Sequence, residues 1–324
     1  MEYRTIGKTG IKVSNLCFGT MSFGGIADEE TSLAMFNRCR DVGINFFDCA
    51  NVYNKGLAEE ILGKCISDCR DEVILTTKVY GATDSGINNR GLSRRHIMLE
   101  VENSLRRLKT DRIEFYFVHA FDETTPIEET LQAMDDLQRQ GKILYPAVSN
   151  WAAWQIAKSL GISAKESLAR FECIQPMYNL VKRQAEVEIL PLAQSENLGV
   201  ISYSPLGGGL LSGKYAGGTR PEHGRLVVQE NYTKRYAEEI YFETADRFTN
   251  YASEHGYHPA SLAVAWVMAH PGVTAPIIGA RNLEQLEPSL DALKIEMTPE
   301  WRDEISALSI TPPPATDRSE EVSK

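Results

Sequence analysis

Asp48, Tyr53, Lys78 and His119 each stand at or just beyond the end of a short apolar run. The runs, 44–47, 73–77 and 113–118, have the length and composition of β-strands, and Tyr53 follows in the loop after the first. A carboxylate, a phenol, an ammonium and an imidazole brought together would handle a proton. A free phenol titrates near ~10, too high for efficient proton exchange at neutral pH. A neighbouring lysine would stabilise its phenolate, an aspartate would neutralise and position that lysine, and an imidazole would orient or protonate a substrate oxygen. Such a group suits a proton donor for a carbonyl that becomes an alkoxide. Taken singly, Tyr53 reads as a packed loop tyrosine and His119 as a polar cap on a strand; their shared position favours the joint reading.

That reading requires elements which bring four distant strand ends to one face. The alternation of strand-like and helix-like segments runs from about residue 16 to residue 290 without a Pro/Gly/Ser linker, so a single domain over 1–310 is expected. Strands are predicted at 16–18, 44–47, 73–77, 113–118, 143–148, 171–174, 200–203 and 275–278. Helices are predicted at 29–42, 58–67, from Ser93 onward, and at 127–139 between Pro126 and Gly141. Eight strand-helix steps fit a closed (β/α)8 barrel, in which residues leaving the carboxyl ends of the strands converge; a doubly wound open sheet is the competing arrangement. Residues 3–6 and 11–13, joined by a Gly-Lys-Thr-Gly turn, read as a hairpin that caps one barrel end. The stretch 206–235 is too long for an ordinary connection and is expected to form a functional loop over the site. The tail 311–324, with three successive prolines, is expected to be mobile.

Composition narrows the function. A net charge of −10 argues against nucleic-acid or anionic-membrane surfaces. No apolar stretch approaches the ~20 residues of a membrane span, and the six cysteines lack a framework spacing, so a soluble cytoplasmic protein with reduced thiols is expected. No metal is expected. Cys65 and Cys69 have no partner pair, and His255 and His258, followed by Pro259, read as a helix-start turn.

In these residues and their order, the chain resembles the aldo-keto reductase family over nearly its whole length. The segment Asp48-Cys49-Ala50-Asn51-Val52-Tyr53, Lys78 at the third strand and His119 at the fourth are similar to that family's Asp, Tyr, Lys and His tetrad in order and approximate separation. Residues 126–131, Gly141-Lys142 and Ser149-Asn150 resemble its bacterial and channel-subunit-like branches. The resemblance implies a (β/α)8 barrel and NAD(P)H-dependent reduction of an aldehyde or ketone, with Tyr53 as general acid. It leaves open a cofactor-sensing regulatory subunit as the alternative, and the oligomeric state is undetermined.

None of the four side chains can supply hydride, so a carrier is needed. No Gly-x-Gly-x-x-Gly turn joins a strand to a helix near the start, which disfavours a Rossmann site. Strand seven instead leads into residues 203–214, whose three adjacent glycines would let backbone N–H groups approach an anion. The resemblance implies Tyr203 stacking on a nicotinamide and Ser149, Asn150 and Gln175 binding its carboxamide. It also implies Ser204, Leu206, Gly207, Gly209 and Lys214 at the pyrophosphate, and Gly279, Arg281 and Gln285 at the adenosine phosphate. Arg281 is the candidate for a 2′-phosphate partner, so NADPH is preferred and NADH allowed. The chain departs from the family at Pro288 and Ser289, where an acidic residue and an asparagine commonly contact adenine. It departs again at Ala120, where many relatives carry tryptophan. Phe23, Phe121 and Trp151 are the expected aromatic walls of a substrate pocket for a mid-sized aldehyde, ketone or sugar.

Overall fold

The computed structural model describes residues 1–316; residues 317–324 of the expected mobile tail lie outside the described residues. In chain order the strands are β1 (Tyr3–Thr5), β2 (Lys12–Ser14), β3 (Cys17–Gly19), β4 (Phe46–Asp48), β5 (Ile74–Val79), β6 (Ile113–Val118), β7 (Ile143–Ser149), β8 (Cys173–Gln175), β9 (Gly199–Ser202) and β10 (Ala275–Ile278). The helices are α1 (Glu29–Asp41), α2 (Leu57–Cys65), α3 (Arg94–Leu108), α4 (Ile127–Arg139), α5 (Ala153–Glu166), α6 (Ile189–Glu196), α7 (Arg225–Val228), α8 (Glu230–Arg235), α9 (Glu239–Glu254), α10 (Pro259–Met268), α11 (Leu283–Leu290) and α12 (Pro299–Ser306).

β3 to β10 close into a parallel barrel, β10 pairing with both β3 and β9. The fold is therefore the (β/α)8 barrel and not the open sheet. Strand alternation divides the core into two shells. Inward residues Cys17, Phe46, Phe115, Phe117, Ala147, Cys173, Ile201 and Ala275 fill the barrel. Outward residues such as Phe18, Phe47, Leu75, Tyr116 and Val148 pack beneath the helices. The inward positions that follow in the strands are polar: Asp48, Thr76, Lys78, Ser149 and Gln175, all buried. The barrel thus changes from apolar to polar toward its carboxyl end.

β1 and β2 form the expected hairpin, and Ile6 and Val13 belong to the barrel's inner cluster, so the hairpin plugs the amino-terminal mouth. The expected long loop at 206–235 contains its own structure: a tight helical turn at Gly207–Ser212, then α7 and α8. Helix starts follow local chemistry. Asp28 caps α1 by accepting from Thr31 N, Ser93 caps α3 by accepting from His96 N, and Pro259 occupies the first turn of α10.

Candidate active site

Asp48 is the last residue of β4, and register pairs it with Thr76 of β5. Past the strand the pairing continues, Cys49 N donating to Thr76 O at 2.9 Å and Asn51 N to Lys78 O at 3.3 Å. The chain then turns sharply: Asn54, Lys55 and Gly56 adopt positive φ (48°, 57° and 93°), and Asn54 Nδ2 donates to Phe23 O at 2.7 Å. This anchored turn aims Tyr53 back over the barrel mouth. Lys78 lies within β5 and not beyond it, because β5 runs to Val79. His119 follows β6 directly, its N–H donating to Val79 O at 2.9 Å.

The four side chains meet. Lys78 Nζ lies 2.6 Å from Asp48 Oδ2, 2.5 Å from Cys49 O and 3.4 Å from Tyr53 Oη. Asp48 Oδ1 accepts from Thr76 Oγ1 at 2.5 Å and from Gln175 Nε2 at 2.9 Å. The carboxylate is therefore fully engaged, which a buried charge requires. The Tyr53 and His119 rings stand edge to face, 6.1 Å apart.

Electrostatics set the proton positions. Burial disfavours the Lys78 ammonium, but the adjacent Asp48 carboxylate outweighs it and holds the pKa above the ordinary lysine value. Burial pushes the Tyr53 phenol up to about 12, against the opposing pull of Lys78. The cation therefore does not produce a phenolate in this state; the phenol keeps its proton. Burial, reinforced by Lys78, lowers His119 to about 3. His119 is a neutral imidazole at physiological pH, able to orient an oxygen but not to hold a proton for transfer.

A cavity of about 670 Å³ opens above this group, bordered by Asp48, Tyr53 and His119. Of the residues implied for the cofactor, Ser149, Asn150, Gln175, Tyr203, Ser204, Leu206, Gly209, Lys214, Gly279, Arg281 and Gln285 border it. Gly207 does not: it is buried, facing Val181, Leu210 and Tyr236. Asn150 and Ser204 take positive φ (58° and 59°), and Asn150 bridges Tyr203 Oη (2.7 Å) and His119 O (3.0 Å). Gln175 directs its amide nitrogen to Asp48. Gly207, Gly208 and Gly209 are left-handed in succession (φ 57°, 69° and 98°), and a Cβ at Gly209 would lie 2.6 Å from Lys214 Nζ.

The three expected aromatic walls stand back from this cavity. Phe23 is fully buried against Phe18 in the outer shell. Trp151, 4% exposed, packs on Phe171 and Phe121, and Phe121 also faces Trp154. None of the three borders the cavity. Each follows a strand closely, and the chain there turns outward toward the helices. Sequence reasoning also missed Arg225, Tyr232 and Arg235 of α7 and α8, which border the cavity. Tyr232 has Arg225 at 5.1 Å and Arg235 at 5.0 Å from its ring centre. Their only signal was membership of the long 206–235 stretch. Pro288 borders the cavity, whereas Ser289 is 1% exposed and its hydroxyl has no hydrogen-bond partner among the described residues.

His258 caps α10 by accepting from Ala260 N, and His255 stacks on Tyr251. Among the described residues no cluster of His, Cys, Asp or Glu is placed to hold a metal.

A profile described as "Aldo/keto reductase family" matches residues 15–310. The chain belongs to the aldo/keto reductase family. The chain is 38% identical over 314 residues to "Uncharacterized oxidoreductase YrpG" of Bacillus subtilis, covering 93% of each. It is 36% identical over 327 residues to a "Probable voltage-gated potassium channel subunit beta" of Oryza sativa subsp. japonica, covering 98% of this chain and 99% of the relative. It is 30% identical over 333 residues to "Versiconal hemiacetal acetate reductase" of Aspergillus parasiticus, covering 93% and 94%. This aldo/keto reductase is thus an oxidoreductase by family, with a barrel, tetrad residues and cavity arranged around one mouth.

Proposed function

We propose that this protein reduces an aldehyde or ketone to an alcohol, reversibly and with NADPH preferred over NADH. The observation that carries this reading is the Tyr53 hydroxyl at the border of the cavity, 3.4 Å from the buried Lys78 Nζ and with the His119 ring edge to face beside it. A carbonyl oxygen placed between Tyr53 and the neutral His119 would be oriented by both. As negative charge grows on that oxygen, Lys78 stabilises the phenolate that Tyr53 becomes on releasing its proton, and Asp48 keeps Lys78 in place. A bound nicotinamide supplies the hydride.

The lining fits a dinucleotide. Lys214, Arg225, Arg235 and Arg281 all border the cavity, and none forms an ion pair among the described residues, although the chain carries a net charge of −10. Burial lowers the Lys214 pKa, and the nearby charges of Arg281 and Arg225 lower it further. Such a focus attracts a polyanion. The left-handed glycines bring backbone close to it, and Arg281, Gly279 and Gln285 are proposed to hold the adenosine phosphate. Ser149, Asn150 and Gln175 are proposed at the carboxamide, with Tyr203 against the ring. The six unpaired cysteines suit a reducing, cytoplasmic location.

Titration with NADPH and NADH, followed by turnover on a panel of aldehydes, ketones and sugars, tests this. NADPH should bind more tightly, and Tyr53→Phe should lower turnover by about 10²- to 10⁴-fold with nucleotide affinity retained. Failure to bind either nucleotide, or full turnover by the variant, would refute the assignment. The channel-subunit name of the Oryza sativa relative favours a second reading, a cofactor-binding regulatory subunit. It expects nucleotide binding with negligible turnover on every substrate, and a partner in pull-down.

A further inference from the structure

Behind the barrel wall, beneath α2 and α3, a chain of buried polar groups joins the Tyr53 loop to the Lys78 strand. Asn51, two residues before Tyr53, donates from Nδ2 to Glu100 Oε2 at 2.8 Å. Arg107 lies 3.5 Å from the same oxygen and 2.6 Å from Glu59 Oε2. Glu59 Oε1 accepts from Thr77 Oγ1 at 2.5 Å, and Thr77 immediately precedes Lys78. Asn51, Glu59 and Thr77 are fully buried and Glu100 is 1% exposed. Neither carboxylate nor the guanidinium borders the cavity. A buried ionic network of this kind is often no more stable than well-packed apolar side chains, but its directional bonds tie together the segments that supply them. That geometry is the one separating Tyr53 from Lys78.

We propose that Asn51, Glu100, Arg107 and Glu59 are positioning residues, a clamp that holds the Tyr53 loop against the Lys78 strand and so sets the phenol-to-ammonium distance. The proposal rests on Tyr53 acting as the acid. Burial alone would raise the Glu100 carboxyl, and the hydrogen bonds from Asn51 and Asn103 outweigh it, so Glu100 stays ionised. Asn51→Ala removes the side-chain link to Glu100 and keeps the backbone hydrogen bond from residue 51 to Lys78 O, leaving the side chains of Tyr53 and Lys78 intact.

The test combines steady-state kinetics, NADPH titration and hydrogen exchange on full-length wild type, Asn51→Ala, Glu100→Ala and Glu100→Gln. The clamp predicts a fall in kcat of roughly 10- to 100-fold for Asn51→Ala and Glu100→Ala, as misplacement of a reacting group produces. NADPH affinity and melting transition should change little in Asn51→Ala, and exchange should accelerate in residues 49–56 alone. Glu100→Gln, which keeps an acceptor for Asn51, should recover much of the turnover that Glu100→Ala loses. Wild-type turnover and exchange in Asn51→Ala would overturn the clamp. So would a loss that only tracks the folded fraction, with exchange raised throughout the chain. If the wild type binds no nucleotide and turns nothing over, the proposed function fails, and exchange of residues 49–56 still decides the clamp.

Discussion

Asp48 is the residue on which the site's charge balance turns. Its two oxygens accept from Lys78, Thr76 and Gln175, and Lys78 is wholly buried. Asp48→Asn would leave that ammonium without its counter-charge. Breaking a buried pair in this way costs on the order of 3 to 5 kcal/mol, visible in a urea melt. It should also let burial lower the Lys78 pKa, so the tuning of Tyr53 fails and turnover falls while the protein still folds. Stability equal to wild type would show that the pair is not the anchor described. At this scale the residue types were legible: strand-end positions announced the four groups. Their proton states were not. A phenol pushed up to about 12 and an imidazole down to about 3 follow from enclosure, which no local pattern encodes.

Among the elements, the hairpin shows how one glycine couples the terminus to the barrel. Gly7 has φ 56°, and a Cβ there would lie 2.7 Å from Glu172 O and 2.8 Å from Gly199 N. The clash is with backbone at the ends of neighbouring barrel segments, which cannot step aside. Gly7→Ala should destabilise by roughly 2 kcal/mol or more, from left-handed strain and overpacking together. The site lies at the opposite mouth, so kcat of the folded enzyme should be unchanged; denaturant unfolding and turnover measured side by side would check both. The eight barrel strands were readable because each is a short apolar run, with bounds displaced by at most two residues. Inclusion of Lys78 within β5 is such a displacement. That the expected aromatic walls stand back from the cavity was not legible for a related reason. Phe23, Phe121 and Trp151 follow strands in sequence, but the direction in which a loop leaves its strand depends on anchors such as Asn54 with Met21 and Phe23. Helices α7 and α8 were hidden within what looked like a long loop.

For the molecule as a whole, acid should be the weak side. Burial lowers His119 to about 3 and His270 to about 4, whereas histidine in the unfolded chain titrates near ~6.5. Below that value the unfolded state binds more protons, so this stability is complete above about pH 6.5. It is lost as pH falls toward the folded values. Each proton contributes a slope of at most about 1.4 kcal/mol per pH unit, less where solvent screens the partly exposed His270. His270→Asn keeps an acceptor for Gly272 N and should flatten the decline between pH 6.5 and 4; an unchanged slope in chemical melts would contradict the linkage.

The amino-acid sequence by itself determined the alternation that closes a parallel barrel, and with it the face on which Asp48, Tyr53, Lys78 and His119 emerge. Parallel strands leave their carboxyl ends on one side, so position along each strand suffices. Only the tertiary structure decided which groups border the cavity and in what state. Lys214, Arg225, Arg235 and Arg281 converge from separate segments, Asn51 reaches Glu100 on α3, and burial sets the protons. These depend on distances and desolvation between residues remote in sequence, quantities that exist only once the chain has folded.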